Sequence, residues 1–201
     1  YYIRLWRNNK KNRLAVWFQN LVLVDVYNFS RVTIASLINK LKNDNSTKCL
    51  LGYSSALESI CSYLDFIQSK RILNNITSII AMSESLNEYT KKSLEEYFNA
   101  NVVSRYSNME NGILAQQDSE GRFKNEFLIN IASYNIEILD VEKDMQVKEG
   151  ELGRIVVTDY FNYAMPLIRY DTGDLGVMHT TRINDLEYKV CLLYTSPSPR
   201  D

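Results

Sequence analysis

Histidine is almost absent from this 201-residue chain: His179 is the only one. A lone histidine argues against a His-based zinc site and against Ser-His-Asp chemistry. Cysteine is scarce as well. Cys49, Cys61 and Cys191 are odd in number and lack metal-ligand spacing, which fits a reducing, cytoplasmic compartment better than a disulfide framework. No long apolar run is present; the longest, residues 14–18, falls far short of the ~20 residues a membrane span needs. Nor does one charge dominate: a net charge of −1 gives no bulk attraction for nucleic acid or an anionic membrane. What remains is an ordinary globular composition, 45% apolar and 23% charged, long enough for one good-sized domain or two small ones.

Both ends look cut. There is no initiator methionine and no signal peptide, and the chain opens inside an element, YYIRLW. Residues 191–201, CLLYTSPSPRD, resemble the in-frame translation of a sequencing-library adaptor more than a natural Pro/Ser tail. The expectation is therefore a fragment whose natural sequence stops near Val190, with residues 191–201 packing against nothing.

Arg4, Arg7, Lys10, Lys11 and Arg13 interleave with Trp6, Trp17 and Phe18. Such a mixture can stack nucleic acid, but a short cluster in a near-neutral chain reads better as a solvated face over buried aromatics. Residues 21–26, LVLVDV, predict a strand, and Ser30 is placed to cap a helix to about Lys42 with Val32, Ile34, Leu37, Ile38 and Leu41 on one face. The unit recurs. Residues 48–53 and 77–82 predict strands, each followed by a capping box, Ser55 with Glu58 and Ser85 with Glu88. The helices would reach about Lys70 and Asn99, and residues 101–105 would form the next strand. This alternation predicts βαβ units on a parallel sheet, where ligands sit beyond the carboxyl ends of strands. Two such ends are 81–84 and 105–108.

After Gln117 the pattern changes. Residues 126–131, 134–141 and 153–159 predict strands joined by polar turns, one of them carrying Gly150 and Gly153. The fold class is thus α/β: βαβ units with a parallel sheet, then a mostly antiparallel, barrel-like β subdomain. The expected divisions are 1–117, 118–190 and the tail 191–201.

Two segments carry candidate chemistry. In residues 164–176, AMPLIRYDTGDLG, an apolar run at 165–168 predicts a strand that breaks at Asp171-Thr172-Gly173-Asp174. Such a turn would hold the Asp174 carboxylate in place. A fixed carboxylate accepts two hydrogen bonds, as a cis-diol such as ribose would offer. A hairpin turn with solvated aspartates explains the same tetrapeptide. Residues 106–110, YSNME, set a flat Tyr106 ring after a strand end and, at Glu110, a hard oxygen suited to Mg²⁺ beside phosphates. A buried tyrosine and a solvated glutamate explain that pentapeptide equally.

Taken in order, Ser83-Glu84-Ser85, Y-x-x-x-E at 106–110, G-E-L-G at 150–153 and P-L-I-R-Y-D-T-G-D at 166–174 resemble the AMP-forming (adenylate-forming) ligase superfamily. The likeness is strongest to its phenylacetate–CoA ligase-like branch, including capsular-polysaccharide-biosynthesis members. It covers roughly residues 51–178, and 150–176 is its most specific part. The resemblance implies ATP-dependent activation of a small-molecule carboxylate to an acyl-adenylate, then transfer to a thiol such as coenzyme A. It implies that Tyr106 stacks on adenine, Asp174 holds the ribose hydroxyls, Glu110 binds Mg²⁺, and Ser83 and Glu84 line the adenine edge.

The chain also departs from the family pattern. Where the family reads Y-G-x-T-E, this chain has Ser107 for the glycine and Met109 for a phosphate-contacting threonine; where it reads Y-R-T-G-D, Asp171 replaces the arginine. The family's phosphate loop and the lid with its catalytic lysine have no counterpart here, so no catalytic residue is assigned and the chain alone is expected to be inactive. Two rivals follow. Asp171-Thr172-Gly173 spells the aspartic-protease triplet, but that chemistry needs a second carboxylate sharing a proton, and no second copy exists. A non-catalytic nucleotide-binding or scaffold homologue fits the departures at Ser107 and Met109.

Overall fold

Residues 48–53, expected to be a strand, form strand β3, Lys48–Tyr53, which is largely buried on both faces. The computed structural model describes residues 2–6, 13–72, 75–123 and 125–194. Arg7, Lys10 and Lys11 of the basic opening and residues 195–201 of the tail lie outside the described residues. The chain divides into two units, Tyr1–Ser104 and Arg105–Asp201. Residues 105–117 form an antiparallel hairpin that pairs onward with the β-rich part.

The first unit contains β1 Tyr2–Trp6, α1 Arg13–Phe18, β2 Leu21–Asp25, α2 Arg31–Asn43, β3, α3 Ser54–Phe66, β4 Ile76–Met82 and α4 Glu88–Phe98, and takes the first half of β5, Asn101–Asn108. Its strands run in the order β2-β1-β3-β4-β5, with β1 parallel to β2 and β3, and β3 parallel to β4. Ile3, Leu5, Leu50 and Ile79 from the sheet meet Leu41 of α2, Leu57, Ile60 and Leu64 of α3, and Leu94 and Phe98 of α4, all essentially fully buried. The helical spacing of these residues puts them on one face of each helix, and burial of that face is the main stabilising term.

Helix ends differ instructively from expectation. Ser30 caps α2 as predicted, its hydroxyl accepting from Thr33 N at 3.3 Å. Neither capping box forms. β3 runs straight into α3, so Ser55 already sits in the first turn, and its N–H donates instead to Glu84 Oε2 at 2.8 Å. α4 is capped by Asn87, which accepts from Thr90 N at 2.7 Å, two residues after the expected Ser85. The aromatics of α1 are a second correction: Trp17 and Phe18 are 72% and 78% exposed, because a helix of six residues presents too little face to bury them.

The second unit takes the remainder of β5 with β6 Gly112–Gln117, β7 Phe127–Ile129, β8 Tyr134–Leu139, β9 Leu152–Asp159, β10 Tyr170–Ile183 and β11 Leu186–Tyr194. The order is β6-β7-β11-β10-β9-β8, antiparallel throughout. The α/β class with a parallel part followed by an antiparallel part is therefore borne out. Leu114, Ile136, Ile138, Ile155, Val157 and Cys191 form this unit's core.

Two expectations are overturned in this unit. Residues 165–168 are not a strand. Met165 and Ile168 are 57% and 74% exposed, Asp159 and Asn162 side chains cap the backbone of this loop, and Pro166 has no N–H for a ladder. The strand starts after them, at Tyr170, and runs through the D-T-G-D segment. Nor does the fold stop at Val190. Cys191 is 3% exposed and pairs with Met178 and Phe127, because the apolar run 190–193 continues the β10–β11 ladder to Tyr194.

Two measurements test this packing. A Cβ on Gly153 would lie 2.2 Å from the Leu139 carbonyl oxygen, so Gly153→Ala should destabilise the chain by about 3 kcal/mol, read from its urea midpoint. The Asp65 carboxylate on α3 accepts from the hydroxyls of Tyr89 and Tyr97 on α4; these bonds hold it below the usual carboxylate range and push Tyr97 up to about 12. A depressed folded-state carboxyl stabilises above its unfolded value, so stability should fall as pH drops below about 4, and less steeply in Asp65→Asn.

Candidate functional site

The D-T-G-D segment is a bulge inside a strand rather than a turn at its end. β10 advances from Asp171 to Leu175 while its partner β9 retreats only from Val156 to Arg154, so residues 172–174 leave the ladder. Gly173, at φ +78°, takes the left-handed conformation this needs. The excursion is tied down by its own side chains. Asp171 Oδ1 accepts from Gly173 N at 3.0 Å, Thr172 Oγ1 donates to Ile155 O at 3.0 Å, and the same hydroxyl accepts from Asp174 N at 3.2 Å.

Arg154 on β9 holds the other side of Asp171. Its Nη1 donates to Asp171 Oδ2 at 2.7 Å, its Nε donates to the Asp140 carbonyl at 3.0 Å, and its Nη2 pairs with Asp144. Residue reasoning missed both Arg154 and the part played by Thr172. The available signal was Asp171 itself: an acidic residue where the resembling motif has arginine calls for a cation nearby, and Arg154 directly follows G-E-L-G.

Tyr106 meets this bulge from the neighbouring hairpin. Contrary to expectation, β5 does not end at Arg105; it continues to Asn108, with Tyr106 opposite Ala115 of β6. Arg105 grips Gln116 Oε1 through Nε and Nη2 at 2.8 and 2.7 Å, fixing the hairpin. The Tyr106 ring packs on the core of this unit, and its hydroxyl donates to Asp174 Oδ2 at 2.7 Å. Burial, with the Asp174 contact adding to it, pushes the phenol far above its ordinary value, so it remains a donor through the physiological range. Asp174 Oδ1 accepts no hydrogen bond among the described residues. The pair thus leaves one half-buried carboxylate oxygen for an incoming donor.

Glu110 sits in the β5–β6 turn, which Asn108 closes by accepting from Asn111 N at 2.7 Å. The carboxylate is exposed and has no protein partner among the described residues; Met109 beside it is 88% exposed. Among the described residues no group of three or more His, Cys, Asp or Glu is arranged to hold a metal ion. Mg²⁺ beside phosphates commonly takes one or two carboxylates and fills its remaining positions with phosphate and water, so a single free glutamate suits that role. Ser83 and Glu84 follow β4 in the first unit. Ser83 is exposed at φ +68°, and Glu84 is spent on α3, its carboxylate accepting from Ser55 N and its carbonyl from Ser54 Oγ at 2.9 Å.

The structure therefore joins Tyr106 to Asp174, puts Glu110 four residues further along the same hairpin, and assigns the Glu84 carboxylate a capping role. A cavity of about 170 Å³ in the same unit, lined by Ile138, Val147, Met178, His179 and Lys189 among others, includes neither Tyr106 nor Asp174. The protease reading loses support, since Asp171 is ion-paired with Arg154 rather than sharing a proton with another acid.

Comparison with known proteins identifies the fold. The chain has the fold of part of a CoA ligase. It superposes on 2-hydroxyisobutyryl-CoA ligase in complex with 2-HIB-AMP and CoA with a TM-score of 0.74 at 14% identity, covering 96% of this chain and 44% of that one. Against the benzoate CoA ligase of Burkholderia xenovorans LB400 the TM-score is 0.59 at 14% identity, covering 87% and 35%. In sequence it is 25% identical over 175 residues to Protein CapK of Staphylococcus aureus, which is 84% of this chain and 33% of that protein. The chain thus spans about a third of the curated relative and less than half of these ligases. No family model matches it. Among the described residues no helix is long and apolar enough to cross a membrane.

Removing the Tyr106 hydroxyl leaves Asp174 Oδ2 half-buried without its donor. Tyr106→Phe should therefore cost about 1 kcal/mol in chemical denaturation with the secondary structure unchanged; an unaltered midpoint would mean that the bond contributes nothing in solution.

Proposed function

We propose that this chain is part of an ATP-dependent, AMP-forming ligase that activates a small-molecule carboxylate as its adenylate and passes the acyl group to a thiol such as coenzyme A. The observation that carries this reading is the Tyr106–Asp174 hydrogen bond, which leaves a carboxylate oxygen beside an aromatic ring. A ribonucleoside offers matching chemistry, a flat base and a cis-diol. In this reading the Tyr106 ring stacks on adenine, and Asp174 accepts from the ribose hydroxyls. Glu110 supplies one oxygen to Mg²⁺, whose charge, when it is bound, offsets that of the phosphates. For Ser83 and Glu84 the proposal narrows to backbone groups at the carboxyl end of β4, since the Glu84 carboxylate is engaged by Ser55.

The likeness in fold to CoA ligases and the ordered motifs at 83–85, 106–110, 150–153 and 166–174 support this reading. The motif resemblance, with the similarity to Protein CapK, extends the proposal to capsular or envelope polysaccharide biosynthesis in a cytoplasmic setting. Catalysis of this kind rests on positioning and on charge stabilisation around phosphates.

One observation favours a second reading, a nucleotide-binding or scaffold homologue without turnover. At the position of the family's phosphate-contacting threonine stands Met109, whose exposed thioether offers a phosphate no hydrogen-bond donor. Pyrophosphate release by the full-length parent, tested over a panel of carboxylates, separates the two: turnover supports the ligase, and ATP binding without turnover supports the scaffold. In the same parent, Asp174→Ala should weaken ATP binding about tenfold or more with the fold intact, measured by calorimetry; unchanged affinity removes Asp174 from the nucleotide site.

A further inference from the structure

The geometry points to Arg154 as a positioning residue that presets the Asp174 carboxylate for a cis-diol. Arg154 does not touch Asp174. It acts through Asp171, and Asp171 through the backbone of the bulge. Its Nη1 holds Asp171 Oδ2 at 2.7 Å while the other oxygen of that carboxylate caps Gly173 N at 3.0 Å. One carboxylate thereby bridges a guanidinium on β9 and the backbone at the centre of the β10 excursion. The next residue, Thr172, completes the device by linking Ile155 O to Asp174 N.

A lone surface ion pair would not earn this role, since such pairs contribute little. Arg154 differs in that its planar fork is engaged on three sides, by Asp171, by the Asp140 carbonyl and by Asp144, and its side chain is only 20% exposed. A guanidinium held by several acceptors is pre-oriented, so little side-chain freedom is left to lose when it fixes the bulge. The ladder resumes at once, with Leu175 opposite Arg154, so the residue that anchors Asp171 also marks the point where β10 rejoins β9. The excursion is thus closed at both ends, and Asp174 emerges from it with one oxygen on Tyr106 and the other open.

Two arms test this. The first needs no ligand: in Arg154→Ala the amides of Gly173 and Asp174 should exchange about tenfold faster by NMR, those of residues 177–181 should keep their rates, and Arg154→Lys, which retains charge without the fork, should fall between. Uniform acceleration along β10, or none, would overturn the positioning role. The second arm rests on the nucleotide reading and compares AMP with 2′-deoxy-AMP. The wild-type chain should prefer AMP, and Arg154→Ala should lose that preference by about tenfold while still binding the base. A wild type indifferent to the 2′-hydroxyl defeats the cis-diol assignment while the exchange result stands. A variant that keeps full preference defeats Arg154's part in it.

Discussion

The register shift between β9 and β10 is the constraint on which the second unit's site depends. On one side of the shift, where Gly153 of β9 pairs with Gly176 of β10, the packing is close. The Gly153 position faces the Leu139 carbonyl, and the Gly176 position faces Ile155 and the Cys191 thiol, each too near for an additional carbon. Strands packed this tightly cannot absorb extra residues by bowing apart. The surplus at 172–174 is pushed out of the plane, and its backbone donors must find partners other than the ladder. They find them in the side chains of Asp171 and Thr172. The motif is therefore short, rigid and oriented by the sheet beneath it.

The second consequence is chemical. A carboxylate on a free turn is solvated and points nowhere in particular. Asp174 instead shares one oxygen with a phenol that burial keeps protonated, and its other oxygen accepts no hydrogen bond among the described residues. In the proposed nucleotide site, an aromatic surface and an acceptor fixed in advance would reduce the ordering that binding costs. The same pre-arrangement recurs around Asp171 and, in the first unit, at Glu84, whose carboxylate closes the start of α3. Acidic residues here are used repeatedly as anchors for backbone N–H groups.

Some of this architecture is legible from the residues in order. The strand at 48–53, the Ser30 cap, the apolar face of α2 and the change from α/β to antiparallel β all follow from local patterning, and Tyr106 and Asp174 stand out through their motifs. Other features do not. Ser55 and Ser85 have the spacing of capping boxes, yet Glu84 and Asn87 take those roles, because a helix start is set by where the preceding strand lets go. The run at 165–168 is apolar enough for a strand, but Pro166 and the Asp159 and Asn162 caps hold it in an exposed loop. Residues 191–194 look foreign by composition, yet Cys191 fills a core position because its neighbours in the ladder require an apolar side chain there.

What the chain's order of residues determined by itself is periodic and local: which stretches alternate as strands, which carry an apolar helical stripe, and where glycine permits a left-handed backbone. These depend on interactions within a few residues, so they can be read along the chain. Only the tertiary structure decided that Tyr106 and Asp174, 68 residues apart, share a hydrogen bond, and that Arg154 reaches Asp171 across a strand pair. Such contacts arise from ladder register, and register is fixed by packing summed over a whole sheet, to which no single segment holds the key.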